Sequence, residues 1–124
     1  MYDIPVLVVE DDPDGQEVVA RMLKQVKVNV EIAGTAEDAW DMLQGGTTYA
    51  GVIIDLALPG QDGFQLLSAI RGDSRLNMLR CIAVTAFHTP ELKHSALWNG
   101  FDGYFPKPLN RTLFLAGVED IILK

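Results

Sequence analysis

Residues 51–60 read GVIIDLALPG, in which an uncharged run is followed at once by the carboxylate of Asp55. An earlier apolar run, Val6-Leu7-Val8-Val9, ends in two more carboxylates, Glu10 and Asp11. Short apolar runs of this kind are typical of buried parallel strands. If the two strands are neighbours in a sheet, the three carboxylates meet at one edge of it.

Three carboxylates in one place concentrate negative charge, which a bound cation would offset. A ligand set made only of oxygen atoms favours a hard cation such as Mg²⁺. A carboxylate beside Mg²⁺ can also act as a nucleophile toward phosphorus. The pattern at Glu10, Asp11 and Asp55 therefore predicts a magnesium site with phosphoryl chemistry.

Apolar runs alternate with helical patterns along the chain, and this alternation predicts the fold class. The strands are predicted over residues 4–9, 28–33, 50–54, 80–84 and 103–105. Strand–helix alternation argues for a parallel sheet with helices on both faces. The common order for such a small sheet is 2-1-3-4-5, with ligands at the carboxyl ends of the first and third strands. We therefore predict an α/β fold, a single doubly wound (βα)5 flavodoxin-like domain over residues 1–124 with no output domain.

Capping residues mark the predicted helices. Asp12, Thr35, Thr89 and Asn110 each precede a helical pattern, and a further helix is predicted over residues 63–71. The last helix is predicted to run to about residue 123. On the first helix, the residues predicted to face the core are Val18, Val19, Met22, Leu23 and Val26.

Composition excludes several classes of protein. The net charge of −7 and the pI of about 4.6 argue against direct binding to nucleic acid, which requires a basic surface. No apolar run approaches the roughly 20 residues of a membrane helix. The start at Met1 shows no basic and apolar leader, so we expect a cytoplasmic protein rather than a secreted one. The lone cysteine, Cys81, begins an apolar run and is predicted to be a buried, inert thiol.

Two further polar residues follow strands predicted to end at the same edge. Thr85 follows the fourth strand, and Lys107 follows the fifth. A phosphoryl group on Asp55 would need donors and counter-charge, which a hydroxyl and an ammonium group supply.

These residues together resemble the receiver domain of two-component response regulators, and the resemblance covers the whole chain. The matching pieces are Val8-Val9-Glu10-Asp11-Asp12-Pro13, Asp55-Leu56, Leu58-Pro59-Gly60, Asp62-Gly63, Thr85-Ala86 and Lys107-Pro108. The resemblance implies that Asp55 accepts a phosphoryl group from a histidine kinase or phosphotransfer protein, forming an aspartyl phosphate. It also implies that Glu10, Asp11, Asp55 and the backbone carbonyl of Ala57 hold Mg²⁺.

The resemblance implies roles for three more residues. Thr85 and Lys107 would bind the phosphoryl oxygens, and Thr85 would act with Tyr104 as a conformational switch. The Lys107–Pro108 peptide bond is expected to be cis. The resemblance also points to a bacterial setting.

Two positions that tune the lifetime of the phosphoryl group in this family are unusual here. Two residues after Asp55 stands Ala57, and two residues after Thr85 stands Phe87. Neither side chain can hold an attacking water, and the Phe87 ring could shield the site. We therefore expect slow self-dephosphorylation, and a protein that accepts the phosphoryl group itself rather than an enzyme acting on other substrates.

The last two helices carry apolar residues outside their predicted inner faces. Trp98 and Leu113 are examples, and exposure there would indicate a surface for an effector protein or a dimer. Local packing of the same residues is the alternative. His88 and His94 are expected to be solvated side chains near the fourth helix, away from the acidic cluster.

Three alternative functions remain open at this point. A degenerate receiver would serve as a binding module independent of phosphorylation, although the acceptor, metal, hydroxyl and lysine set is complete. A phosphohydrolase similar to haloacid dehalogenases would normally carry a second aspartate where Ala57 stands. A flavodoxin-like cofactor binder would need a phosphate loop where the chain has Glu10-Asp11-Asp12, which would repel phosphate.

Overall fold

The computed structural model describes residues 2–58 and 62–123 of the 124-residue chain. Within these residues, five parallel strands form one sheet in the order β2-β1-β3-β4-β5, which confirms the predicted topology. The strands are β1 (Tyr2–Val9), β2 (Val28–Ala33), β3 (Gly51–Asp55), β4 (Cys81–Thr85) and β5 (Gly103–Pro106). Pro59 and Gly60, which belong to one of the matching sequence pieces, lie outside the described residues.

Five α-helices connect and follow the strands in the described ranges. They are α1 (Pro13–Gln25), α2 (Ala36–Gln44), α3 (Gly63–Gly72), α4 (Pro90–Trp98) and α5 (Arg111–Val118), and α5 continues as a π-helix over Glu119–Leu123. The predicted caps Asp12, Thr35, Thr89 and Asn110 each accept a hydrogen bond from a first-turn backbone amide. These bonds satisfy amides that have no partner inside the helix.

The sheet is covered on both faces, and this explains the continuous apolar runs in its central strands. Leu7 and Val52 point to the face covered by α2, α3 and α4, whereas Val8 and Ile53 point to the face covered by α1 and α5. Every residue of β3 and β4 is buried. Strands buried on both sides need apolar residues at successive positions rather than at alternate ones.

The prediction that Val18 faces the core was wrong. Its side chain is 47% exposed, whereas Val19 and Leu23 on the same helix are buried. The five apolar positions predicted for α1 span a wider arc than the stripe that one helix can press against a sheet.

Arg71 on α3 forms hydrogen bonds with both of the segments that lead into β4 and β5. Its guanidinium donates to the carbonyl oxygens of Leu79 and Gly100, at 2.6 and 2.7 Å, and to Asp102 Oδ2 at 3.1 Å. Asp102 Oδ2 also accepts from the backbone amide of Cys81 at 2.9 Å. This network fixes where β5 starts, and therefore where the residues at its far end lie.

Tyr49, Cys81 and Gly117 show three further features of the packing. Burial raises the pKa of Tyr49 to about 12, and a 2.6 Å hydrogen bond to Glu31 adds to the effect. Cys81 is a free, buried thiol, as predicted, and its burial raises its pKa to about 12. A Cβ atom at Gly117 on α5 would lie 2.2 Å from Phe105 Cζ, so a larger residue there would force the Phe105 ring or α5 to shift. None of the described helices has the length and apolar character required to cross a membrane.

Candidate functional site

Three carboxylates meet at the carboxyl edge of the sheet. Glu10 and Asp11 directly follow β1, and Asp55 ends β3. Because β1 and β3 pair in parallel, their carboxyl ends are neighbours. One oxygen from each carboxylate lies within 4.8 Å of the others. Glu10 and Asp55 are buried, whereas Asp11 is exposed, so the cluster has one side open to solvent.

Lys107 follows β5 and reaches into this cluster. Its ammonium donates to Asp55 Oδ2 at 3.0 Å and also to Glu10 Oε1. The backbone amide of Lys107 donates to the carbonyl oxygen of Thr85 at 2.8 Å, which anchors the residue to the end of β4. The peptide bond between Lys107 and Pro108 is cis, as expected. The ammonium therefore neutralises part of the negative charge at the sheet edge.

The proximity of these groups changes their proton affinities. Burial raises the pKa of Glu10; the Lys107 hydrogen bond opposes this rise, and the neighbouring Asp55 adds to it. Burial alone would lower the pKa of Lys107, but its hydrogen bonds to Glu10 and Asp55 and their charges outweigh burial and raise it. Lys107 is therefore held in its charged form between the two carboxylates.

The remaining oxygens of the buried carboxylates have backbone partners. Asp55 Oδ1 accepts from the backbone amide of Ala57 at 2.8 Å, and Glu10 Oε2 accepts from the amide of Asp12 at 3.3 Å. Gln16 donates to the carbonyl oxygen of Glu10 at 2.7 Å and so links α1 to the end of β1. The contact seen for Ala57 is made by its amide, and its carbonyl as a metal ligand stays a prediction.

Thr85 ends the strand next to β3, and Tyr104 lies on β5, one strand further from the acidic cluster. Thr85 ends β4, is 1% exposed and accepts a hydrogen bond from the amide of Phe87 at 3.1 Å. Tyr104 lies on β5 and is buried, which raises the pKa of its phenol. Its hydroxyl lies 2.9 Å from Nδ1 of His88. The sequence analysis missed this contact, because no periodicity or motif relates His88 to a residue 16 positions away.

The exposed aromatic residues bear on two other predictions. Phe87 is 71% exposed, which does not support shielding of the site by its ring, and slow self-dephosphorylation stays a prediction. Trp98 is 81% exposed and stacks against His94 on α4, with ring centroids 6.4 Å apart. Leu113 on α5 is 64% exposed. Local packing therefore does not account for Trp98 or Leu113.

The donor set fits a hard divalent cation. Carboxylate oxygens from three residues converge, and the described residues place no sulfur or imidazole ligand among them. Asp55 is also flanked by an ammonium group and lies at the edge where ligands of this topology bind. The arrangement can support transfer of a phosphoryl group to a carboxylate, a reaction that depends on positioning and on neutralising charge.

Comparison with known proteins identifies the family. A family model described as the response regulator receiver domain matches residues 6–119. An uncharacterized 14.6 kDa protein of Leptolyngbya boryana is 33% identical over 110 residues, which cover 89% of this chain and 83% of that protein. Response regulator Rre1 of Synechocystis sp. is 30% identical over 122 residues, which cover 98% of this chain and 52% of Rre1. The chain thus spans about half of the length of Rre1.

The solved structures agree with this assignment. A sensor protein from Polaromonas sp. has a TM-score of 0.88 and 28% identity, with 98% of this chain and 97% of that chain covered. Receiver domains bind Mg²⁺ at an acidic pocket and interact with histidine kinases or phosphotransfer proteins. They are in general phosphoacceptors rather than catalysts. Because the family model matches nearly the whole chain and the fold agrees, this chain belongs to the response regulator receiver domains of two-component signalling.

Proposed function

We propose that this chain is a phosphoacceptor switch that receives a phosphoryl group on Asp55 from a histidine kinase or phosphotransfer protein. The observation that carries the proposal is the meeting of Asp55, Glu10, Asp11 and Lys107 at one sheet edge. A loop-exposed aspartate without such neighbours would lack both the metal ligands and the counter-charge. The phosphoryl group would form an aspartyl phosphate.

In the proposed reaction, an oxygen of Asp55 attacks the phosphorus of a partner's phosphohistidine. A bond between this oxygen and phosphorus forms as the phosphorus–nitrogen bond breaks, and the electron pair of the broken bond stays with the imidazole. Glu10, Asp11, Asp55 and the carbonyl of Ala57 would hold Mg²⁺, which neutralises charge on the transferred group. In-line approach requires one open side, and the exposed position of Asp11 supports access from there.

Lys107 and Thr85 would bind the oxygens of the transferred group. The ammonium of Lys107 already contacts Asp55, so a modest movement would carry it from a carboxylate oxygen to a phosphoryl oxygen. Thr85, whose hydroxyl oxygen accepts from the Phe87 amide, would move and donate its hydroxyl hydrogen to a phosphoryl oxygen in exchange for its present arrangement. With Tyr104 on the next strand, this exchange would couple the site to β5 and the last helices by shifting a two-state equilibrium.

We expect the phosphoryl group on this chain to be long-lived. Neither Ala57 nor Phe87 offers a polar side chain that could orient an attacking water. The expectation rests on this missing group and not on shielding, since the Phe87 ring faces solvent. A phosphoryl half-life of seconds at neutral pH would contradict it.

An effector protein or a second copy of the chain is proposed to bind at α4 and α5. The exposed side chains of Trp98 and Leu113 support this surface, since isolated exposure of a tryptophan leaves a large apolar area in water. We place the protein in the cytoplasm, where its phosphoryl donors would be found. Sedimentation of the phosphorylated and unphosphorylated forms tests the dimer, and an unchanged monomer would leave the effector protein as the partner.

Intact mass spectrometry after incubation with acetyl phosphate tests the proposed function. The wild type should gain one phosphoryl group with Mg²⁺ and none when the metal is chelated. Asp55→Asn should gain none under either condition. The matched control Asp41→Asn, which changes an exposed aspartate on α2, should behave as the wild type. No gain in the wild type would contradict the proposal and favour a degenerate receiver acting as a binding module.

A further inference from the structure

A hydrogen bond outside the acidic cluster joins the loop after β4 to β5. His88 lies in the loop of residues 86–89, between β4 and α4, and is an exposed residue. Its Nδ1 is 2.9 Å from the hydroxyl oxygen of Tyr104, and the two ring centroids are 5.5 Å apart at an angle of 52°. The imidazole therefore reaches from the surface loop to the end of a buried phenol.

The Tyr104 ring lies inside the molecule. It is 7% exposed and belongs to the core cluster that also contains Ala83, Ala96 and Phe101. A buried phenol needs a partner for its hydroxyl, because an unsatisfied hydroxyl away from water is costly. In the described part of the chain, His88 supplies that partner. Without it, the hydroxyl would depend on water for its hydrogen bond, and a ring turned outward would reach water more readily.

The same loop is also tied to the end of β4. The amide of Phe87 donates to Thr85 Oγ1, and the next residue along the chain is His88. Two hydrogen bonds in adjacent residues thus connect the loop to Thr85 on one side and to Tyr104 on the other. A change in the position of Tyr104 would therefore move or release the loop that follows Thr85.

We propose that His88 is a positioning residue that holds the Tyr104 ring in its buried orientation before any phosphoryl group is bound. The inference rests on the proposed function, in which Thr85 and Tyr104 couple Asp55 to the last strand. In this proposal the phosphorylated state is the one with Tyr104 buried, so a chain that already holds the ring inside needs less conformational change on phosphorylation. The tendency of the chain to become phosphorylated rises in proportion to the fraction of molecules in which Tyr104 is already buried.

The effect of His88 does not depend on its protonation state. A neutral imidazole with Nδ1 unprotonated accepts from the tyrosine hydroxyl, and an imidazolium donates to it. The contact survives in both forms because a phenol can act as donor or acceptor. Position, rather than charge, is therefore the property to be tested.

Fluorine NMR of fluorotyrosine-labelled protein measures the orientation directly. The chain has three tyrosines, so the substitution Tyr104→Phe assigns the signal of interest. A typical hydrogen bond shifts such an equilibrium about two- to tenfold. In His88→Ala the ratio of buried to exposed Tyr104 should fall by about this factor, and the signal should show a larger solvent isotope shift. His88→Asn should restore the wild-type signal, because the asparagine amide places a polar atom close to the position of Nδ1.

The matched control is His94→Ala, which removes the other histidine from the same region. His94 stacks on Trp98 and should leave the Tyr104 signal unchanged when removed. An unchanged Tyr104 signal in His88→Ala would overturn the inference. An equal change in both alanine variants would also overturn it, since the effect would not then belong to the His88 contact.

Phosphorylation kinetics supply a second readout. With acetyl phosphate and Mg²⁺, His88→Ala should be phosphorylated more slowly than the wild type, by the factor by which the buried fraction of Tyr104 falls and so by at most about tenfold. In the Tyr104→Phe background the same substitution should have no effect, because the partner hydroxyl is gone. An effect of equal size in that background would contradict the inference. If the wild type takes up no phosphoryl group, the proposed function fails, and the fluorine signal alone still decides the role of His88.

Discussion

The substitution Lys107→Met removes the ammonium group that lies between two buried carboxylates. Lys107 contacts Asp55 Oδ2 at 3.0 Å and also contacts Glu10, and the two carboxylate side chains are only 8% and 3% exposed. Without the ammonium group, the negative charges of Glu10, Asp11 and Asp55 repel one another, and no positive charge lies at that position. The variant should therefore be less stable than the wild type, and Mg²⁺ should compensate for the missing charge.

The magnitude follows from burial. Removing one partner of a buried ion pair costs about 3–5 kcal/mol. The Lys107 side chain is 23% exposed, so solvent screens part of the interaction and the cost should be near the lower end, about 3 kcal/mol. The loss should shrink at acid pH. Lys107 lowers the pKa of Glu10, so its removal raises that pKa further, and the folded variant takes up a proton more readily than the folded wild type as the pH falls.

Urea unfolding, followed by tryptophan fluorescence, measures the loss of stability in Lys107→Met. Repeating it with saturating Mg²⁺ measures how much of that loss the metal restores. A ligand at 100 times its dissociation constant stabilises the folded state by about 2.7 kcal/mol. The gain from Mg²⁺ should be larger in Lys107→Met than in the wild type, so that the deficit narrows. Lys93→Met, which changes an exposed lysine on α4, is the matched control and should show neither effect. The reasoning would be refuted if Lys107→Met were as stable as the wild type. It would also be refuted if the difference in unfolding free energy were the same with and without Mg²⁺.

Three further predictions concern stability and can be checked by urea unfolding. Arg71→Met should lower the free energy of unfolding by about 3 kcal/mol, because several carbonyl oxygens lose a charged donor. Its control, Arg21→Met at an exposed helix pair, should lower it by less than about 0.5 kcal/mol. Equal losses in the two variants would contradict this. Gly117→Ala should lower the free energy of unfolding by about 1–3 kcal/mol through overpacking, and adding Phe105→Leu should recover part of this loss. A Gly117→Ala variant as stable as the wild type would argue against the close approach of α5 and β5. Tyr49, with a pKa near 12 when folded and 10.0 ordinarily, should make stability fall as the pH rises through that window; an equal slope in Tyr49→Phe would contradict its role.

The fold could be predicted because local and long-range signals agree. The continuous apolar runs before Asp55 and Thr85 require a sheet that is covered on both faces, and the caps place helices between the strands. The strand order was a choice of the commonest topology. It brought Glu10 and Asp55 to one edge, and the pairing of β1 with β3 confirms it.

The features that sequence reasoning missed depend on packing. The contact between His88 and Tyr104 joins a loop residue to a strand residue, and its geometry depends on how the loop leaves β4. The bond from Lys107 to Glu10 depends on the distance between two strand ends that are not neighbours in the sheet. The exposure of Val18 follows from the width of the face that α1 buries, which an apolar pattern alone overestimates.

Chemical trapping of the phosphorylated residue tests the central claim most directly. Borohydride reduces an aspartyl phosphate to homoserine, so peptide mapping after treatment with acetyl phosphate, Mg²⁺ and borohydride identifies the acceptor. The account predicts homoserine at position 55 and at no other aspartate, and none when Mg²⁺ is withheld. Homoserine at another aspartate, with Asp55 unchanged, would contradict the account.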